Sequence, residues 1–205
     1  MDTTTTDRAR VLEAADALFY AHGIQAVGMD RIRDAARLPL KRLYRAFPSK
    51  AALVEAYLRH RDSYSRAALR EHTDGIADPR ERILAVFDWL HAWCGQPEFR
   101  GCAFANAYGE LGEGAEGVHR AVRDHMDAVS EQLYDLAAAT TAPDPRALGR
   151  QLHILLAGTL SLAAVQRGSE PALQARAAAR ALLDALPGDP LPPEHRTPAF
   201  RSAEA

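Results

Sequence analysis

Residues 39–50, PLKRLYRAFPSK, set Lys41, Arg42, Arg45 and Lys50 among Leu40, Leu43, Tyr44 and Phe47. Cations interleaved with apolar and aromatic side chains can grip a polyanion without any cofactor. Lysine and arginine neutralise phosphates. An arginine fork can meet guanine O6 and N7 together. A tyrosine hydroxyl can reach a phosphate oxygen. The same four charges would also suit the solvated face of an ordinary helix, so their meaning depends on what surrounds them.

Two features of the surroundings favour the polyanion. Residues 1–61 hold 11 Lys/Arg and 7 Asp/Glu, whereas the rest of the chain holds 14 and 20. The whole chain is nearly neutral, at −2, so an anionic partner is expected for the N-terminal part alone. The second feature is spacing. Gly28 opens a short helical segment, MDRIRDAARL, with Met29, Ile32, Ala35 and Ala36 inward. Arg37-Leu38-Pro39 breaks it, since Pro39 disfavours helix at Leu38 and suits the first turn of the next helix. That next helix runs to about Phe47 on Leu40, Leu43 and Phe47. Two short helices and a tight turn form a helix-turn-helix pattern, whose second helix enters the major groove. Lys41, Arg42 and Arg45 then lie on its polar side. Leu40 is either an anchor or a contact to a thymine methyl. Lys50 begins a further helix, capped by Ser49, where free N–H groups make a phosphate site.

The elements that must carry this pattern are helical. Alanine and leucine dominate, and 47% of residues are hydrophobic against 25% charged, a composition typical of soluble helical domains. No uninterrupted apolar run approaches the ~20 residues of a membrane span, and MDTTTTDRAR lacks a signal core. A cytoplasmic protein without a membrane partner is expected. A first helix spans 7–22, with Asp7 as N-cap and Gly23 as its stop. A long helix covers 50–72, and HTDGIADP, residues 72–79, marks the boundary. Further helices are expected at 83–93, 102–111, 118–140, 146–167 and 171–186. The reading is all-α with about nine helices: residues 1–50 as the helix-turn-helix domain, 50–72 linking, 73–186 as a larger helical domain, and 187–205 as a Pro-rich disordered tail.

In the larger domain, Leu152, Leu155, Leu156, Thr159, Leu162, Ala175, Ala179 and Leu182 recur at helical spacing on the last two helices. They allow close helix contact, either with symmetry mates as a four-helix bundle or within one chain. Phe87, Leu90, Trp93, Phe104, Asn106, Tyr108, His125 and Leu133, with Trp89 and Gln132, could line a largely apolar ligand cavity or be plain core. Asn106 and Tyr108, two apart, do not share a helix face. Cys102, at a helix start beside Arg100, could have a lowered thiol pKa and act as a redox or electrophile sensor, alone or paired with Cys94; the alternative is a small buried side chain. Two cysteines give no disulfide framework. The eight histidines are scattered, so no metal or other cofactor is expected. There is no phosphate-binding glycine loop and no nucleophile–base constellation, so no enzyme is expected.

Residues 8–55 resemble the N-terminal domain of TetR-type bacterial transcriptional regulators. The resemblance rests on VLEAADALFYAHG (11–23), on Ile32 with Ala36, and on LYRAFPSKAAL (43–53). It implies a DNA-binding head followed by helices that form an effector pocket and a dimer interface. The chain would then be a homodimer, most simply a repressor, on a palindromic double-stranded operator, released by a small-molecule effector. A ligand-free architectural DNA-binding protein is the rival. The resemblance also implies that positions 40, 41, 42, 44 and 46 face the groove, so that Lys41 and Arg42 carry specificity and Ala46 offers only a methyl. This chain departs from the family at several positions. Gly28 replaces a frequent Thr or Ser that would contact phosphate, Arg37 replaces the usual turn glycine, Pro39 replaces a serine, and Lys41-Arg42 replaces a small residue and threonine.

Overall fold

The computed structural model describes residues 3–112 and 114–187. The tail expected to be disordered, from residue 188 on, lies outside the described residues. Among the described residues there are nine α-helices and no strand: α1 Thr3–His22, α2 Met29–Ala36, α3 Leu40–Ala46, α4 Lys50–Thr73, α5 Pro79–Cys94, α6 Ala103–Leu111, α7 Glu116–Ala138, α8 Pro145–Gln166 and α9 Glu170–Asp184.

Local chemistry sets most of these ends. Ser49, Asp78 and Asp144 each accept from backbone N–H groups of the turn that follows, and Pro79 and Pro145 stand where no N–H donor is needed. α2 ends at Arg37, which takes the left-handed conformation at φ 52°. A side chain there is strained by about 1–2 kcal/mol. α1 differs from expectation. It starts at Thr3, and Asp7 is not its N-cap but a buried side chain inside the helix. The reason is Arg42, which gives the carboxylate a partner across the head.

The packing forms two cores. In the first, Val11, Ala15 and Phe19 of α1 meet Ile32, Leu43, Phe47, Leu53 and Tyr57. Phe104 and Ala107 of α6 and Val118 and Val122 of α7 belong to the same core. In the second, Phe87 and Leu90 of α5 pack with Leu133, Leu152, Leu160, Ala179 and Leu183. α4 and α7 run through both cores, so the head is tied into the body by shared apolar packing.

Of the two packings left open for the last two helices, most of the named residues take the one within the chain. Leu152, Leu156, Thr159, Ala175 and Ala179 are buried within the chain, and Leu155 and Leu182 are partly buried. Of the residues expected at a subunit interface, only Leu162 is well exposed, at 53%. It stands in a row with Ile154 at 71% and Val165 at 82%. α8 is apolar all round, and by length and composition alone it could cross a membrane. Periodicity therefore could not say which side faces in. At Gly149 the crossing with α7 is so close that a Cβ would lie 3.2 Å from the Tyr134 backbone.

Candidate nucleic-acid interface and the cavity behind it

α2 and α3 barely touch each other; both are held by α1. Three neighbouring side chains of α1 do this. Asp7 accepts from Arg42 through Nε at 2.6 Å and Nη2 at 2.5 Å. Arg8 donates to the Ala46 carbonyl at 2.9 Å and lies 4.2 Å over the Phe47 ring. Arg10 donates to the carbonyls of Ala36, at 2.7 Å, and Arg37, at 3.2 Å. These bonds satisfy carbonyls that α2 and α3 leave free at their ends, and the Arg10 bonds fall where Arg37 is strained. None of the three is legible in the sequence, because residues 26 to 38 positions apart leave no periodic signal.

With α3 held from behind, Leu40, Lys41, Tyr44 and Arg45 remain exposed on its outer face. Two expectations are corrected. Arg42 does not lie open as a base reader, since its guanidinium is paired to the buried Asp7. Ala46 is turned into the core rather than the groove, and Arg8 holds its carbonyl. Gly28 is the N-cap of α2 and makes no side-chain cap bond; a Cβ there would meet nothing within 4 Å. Lys50 reaches the Gln25 carbonyl at 3.5 Å.

The sequence model described as "Bacterial regulatory proteins, tetR family" matches residues 11–57. A solved TetR-family transcriptional regulator from Streptomyces coelicolor is 32% identical, covers 87% of this chain and 96% of its own, and superposes with a TM-score of 0.79. This chain belongs to the TetR family. TetR-family members are DNA-binding transcriptional regulators, and this chain is one in fold and in head sequence. Among curated TetR-like relatives, the HTH-type transcriptional activator FasR of Mycolicibacterium smegmatis is 40% identical over 87 residues, 40% of each chain. The HTH-type transcriptional repressor KstR2 of Mycobacterium tuberculosis is 34% identical over 80 residues, 39% of this chain and 40% of its own. Over those two relatives the match thus spans about two fifths of their length, and one activates where the other represses.

Behind the TetR-type head lies a cavity of about 420 Å³ between α4, α5, α6, α7 and α8. Of the eight expected pocket residues, Leu90, Trp93, Phe104 and His125 line it. Phe87 and Leu133 are buried core instead. Asn106 points elsewhere: it donates to the Arg100 carbonyl at 2.9 Å and lines a separate cleft between α1 and α6. Tyr108 is exposed near His119. A further wall, not legible in the sequence, is α4, through Arg61, Tyr64, Arg66 and Leu69. The i, i+3 spacing of Arg61 and Tyr64 was visible in the sequence, but not that it pointed at a cavity.

The polar side of the cavity is paired. Asp62 accepts from Arg66 at 2.7 Å and from His125 Nδ1 at 2.7 Å. Burial pushes the Asp62 carboxyl up, but the bonds from Arg66 and His125 outweigh it and leave it below the usual carboxylate range. Burial lowers His125, which Asp62 only partly offsets, and the ring stacks 3.5 Å from Phe104. Cys102 also lines the cavity. Of the two readings of Cys102, the lowered thiol is not found: burial raises it, its Sγ caps α6 by accepting from Ala105 N, and Arg100 turns away to the Pro97 and Phe99 carbonyls. Burial likewise pushes Cys94 up to about 11. Both thiols are free, and at Cys102 burial outweighs the charge of Arg61, so neither has the setting of a reactive cysteine. Among the described residues no group of three His, Cys, Asp or Glu could hold a metal ion. Ser130 meets His153 Nδ1 at 2.8 Å, but no carboxylate orients that imidazole among the described residues, and neither residue lines the cavity.

Two contacts tie this cavity to the head. Tyr20 of α1 donates to the Gly101 carbonyl and accepts from Arg100 N, each at 3.0 Å. At the other end of α6, Glu110 accepts from Ile24 N at 3.0 Å and Gln25 N at 2.7 Å, while the Gln25 amide donates to the Glu110 carbonyl.

Proposed function

We propose that the chain acts in the cytoplasm as a homodimeric repressor, binding a palindromic operator through α3 and leaving it when a small molecule fills the 420 Å³ cavity. The observation that carries the DNA reading is the outer face of α3, where Leu40, Lys41, Tyr44 and Arg45 are presented while Arg42 and Phe47 hold the helix from behind. Lys41 then carries most of the base discrimination, Tyr44, Arg45 and Lys50 serve phosphates, and Leu40 offers an apolar surface to a thymine methyl. The head, residues 1–50, reads DNA, and residues 73–186 sense and dimerise, with α4 between them.

The second copy docks on the outer side of α8 and α9. Ile154, Leu162 and Val165 are exposed along α8, with Leu173 on α9 and the small residues Ala157, Gly158, Ser161, Ala177 and Ala181 between them. An apolar surface of that kind is rare on a monomer, and small residues let helices approach closely. Two α3 helices about 34–36 Å apart would read successive major grooves.

Selection of bound fragments from random duplex DNA by the purified chain checks this reading. An inverted repeat with half-sites one helical turn apart is expected. Salt-dependent binding with no enriched sequence would instead mark a non-specific architectural protein.

A further inference from the structure

The cavity wall is electrically lopsided. It carries Arg61 and Arg66, while the carboxylates that pair with them, Asp16 and Asp62, are not among the described lining residues. The start of α6, at Cys102 and Ala103, opens on the same space and adds the positive end of a helix dipole. The lining also includes Trp89 and Trp93, with ring centroids 5.1 Å apart, and Leu156 and Leu160 of α8.

The two arginines differ in how firmly they are held. Arg66 gives Asp62 both Nε and Nη2 at 2.7 Å. Arg61 gives Asp16 one bond of 2.9 Å and one of 3.4 Å, and rests 3.7 Å over the Tyr20 ring. A planar or tetrahedral oxyanion offers a guanidinium two short parallel bonds, which Asp16 supplies only in part.

From this asymmetry we infer that the cavity takes an amphipathic organic anion, a carboxylate or sulfonate on a flat apolar body. The anionic group sits on Arg61 beside the α6 N-terminus, and the body lies against the two indoles. This rests on reading the cavity as the effector site. Occupancy then reaches the head through Asp16, which belongs to α1: an anion that draws Arg61 away loosens a tie between α1 and α4.

The experiment uses the full chain and two probes sharing one ring system, 8-anilinonaphthalene-1-sulfonate and the uncharged N-phenyl-1-naphthylamine. The chain has two tryptophans, and both line the cavity, so probe emission excited through tryptophan reports binding to the body, and its dependence on Arg61 places the sulfonate in the cavity. The sulfonate is expected to bind at least tenfold more tightly than the neutral probe. Arg61→Gln should bring the two to parity, and Asp16→Asn should tighten the sulfonate severalfold, because Arg61 loses its internal partner. Equal binding of both probes to the unaltered chain overturns the anion inference and leaves the cavity reading standing. The absence of binding by either probe removes both. A preference that survives in folded Arg61→Gln, or a sulfonate affinity unmoved by Asp16→Asn, also overturns it. The first comparison needs no variant, so a substitution that prevents folding does not blunt the test.

Discussion

Two aspartates of α1 each hold an arginine from another helix, and the two pairs differ in kind. Asp7 is buried and takes Arg42 of α3 through two short bonds, with the arginine stem half in solvent. Asp16 takes Arg61 of α4 through one short bond and one long one, with the guanidinium almost enclosed and lying on an aromatic face. The first pair sits behind α3 with its carboxylate buried. The second faces a cavity. Ion pairs of the same composition therefore serve as a fixed clamp in the head and as an exchangeable contact at its junction with the body.

The contrast breaks most directly at Arg42. Arg42→Ala leaves Asp7 buried without its partner. The expected cost is about 2–3 kcal/mol, near the range for charged hydrogen bonds and below that for fully enclosed pairs. Chemical denaturation measures it. Operator affinity should fall evenly across related sequences, since the variant loosens α3 rather than a base contact. A stable variant with relaxed preference at one base pair would make Arg42 a reader and dissolve the comparison.

Lys41→Ala should do the reverse. Stability stays within about 0.5 kcal/mol, as for an exposed surface position, while discrimination at one position of the half-site drops by about 1–2 kcal/mol. Binding titrations on single-base operator variants check this.

Acid separates the junction from the head. Burial holds both His125 and His153 below the ordinary histidine value, so near pH 6 the unfolded chain binds more protons than the folded one. The groups facing His125 are Asp62, Arg66 and His153. Stability from these sites is complete above about pH 6.5 and is lost as pH falls through the lower folded values. Urea midpoints should decline between pH 7 and 5, and His125→Gln should flatten that decline. Parallel profiles for the two proteins would show that the junction does not titrate.

The smallest effect lies at Gly28. A Cβ there meets open space, so Gly28→Ser should add a capping hydroxyl worth a few tenths of a kcal/mol. It should also tighten DNA binding about equally for all sequences, as a phosphate contact does.

The head was largely legible in the sequence because its signals are local. The breaks at Gly28, at Pro39 and at Pro48-Ser49 bound two short helices, and Leu43 and Phe47 are the buried anchors their spacing predicts. What failed there were long-range partners. Nothing in KRLYRA says that Arg42 finds an aspartate 35 residues earlier, or that Ala46 sits on the inner side of a helix only seven residues long. The body was legible as helices but not as faces. α8 has apolar residues all round, so Leu152 and Ile154 look alike in sequence, yet one is core and the other outer surface. The cavity was half legible: tryptophan and phenylalanine marked it, but α4 entered it only through tertiary packing.

Glu110 offers a way to watch the molecule work. The backbone amides of Ile24 and Gln25 sit in the turn between α1 and α2, yet both donate to this one side chain on α6. Their exchange with deuterated water thus measures how firmly the body holds the DNA-reading end. Two amides outside the cavity and outside the reading helix become a gauge of the tension between them.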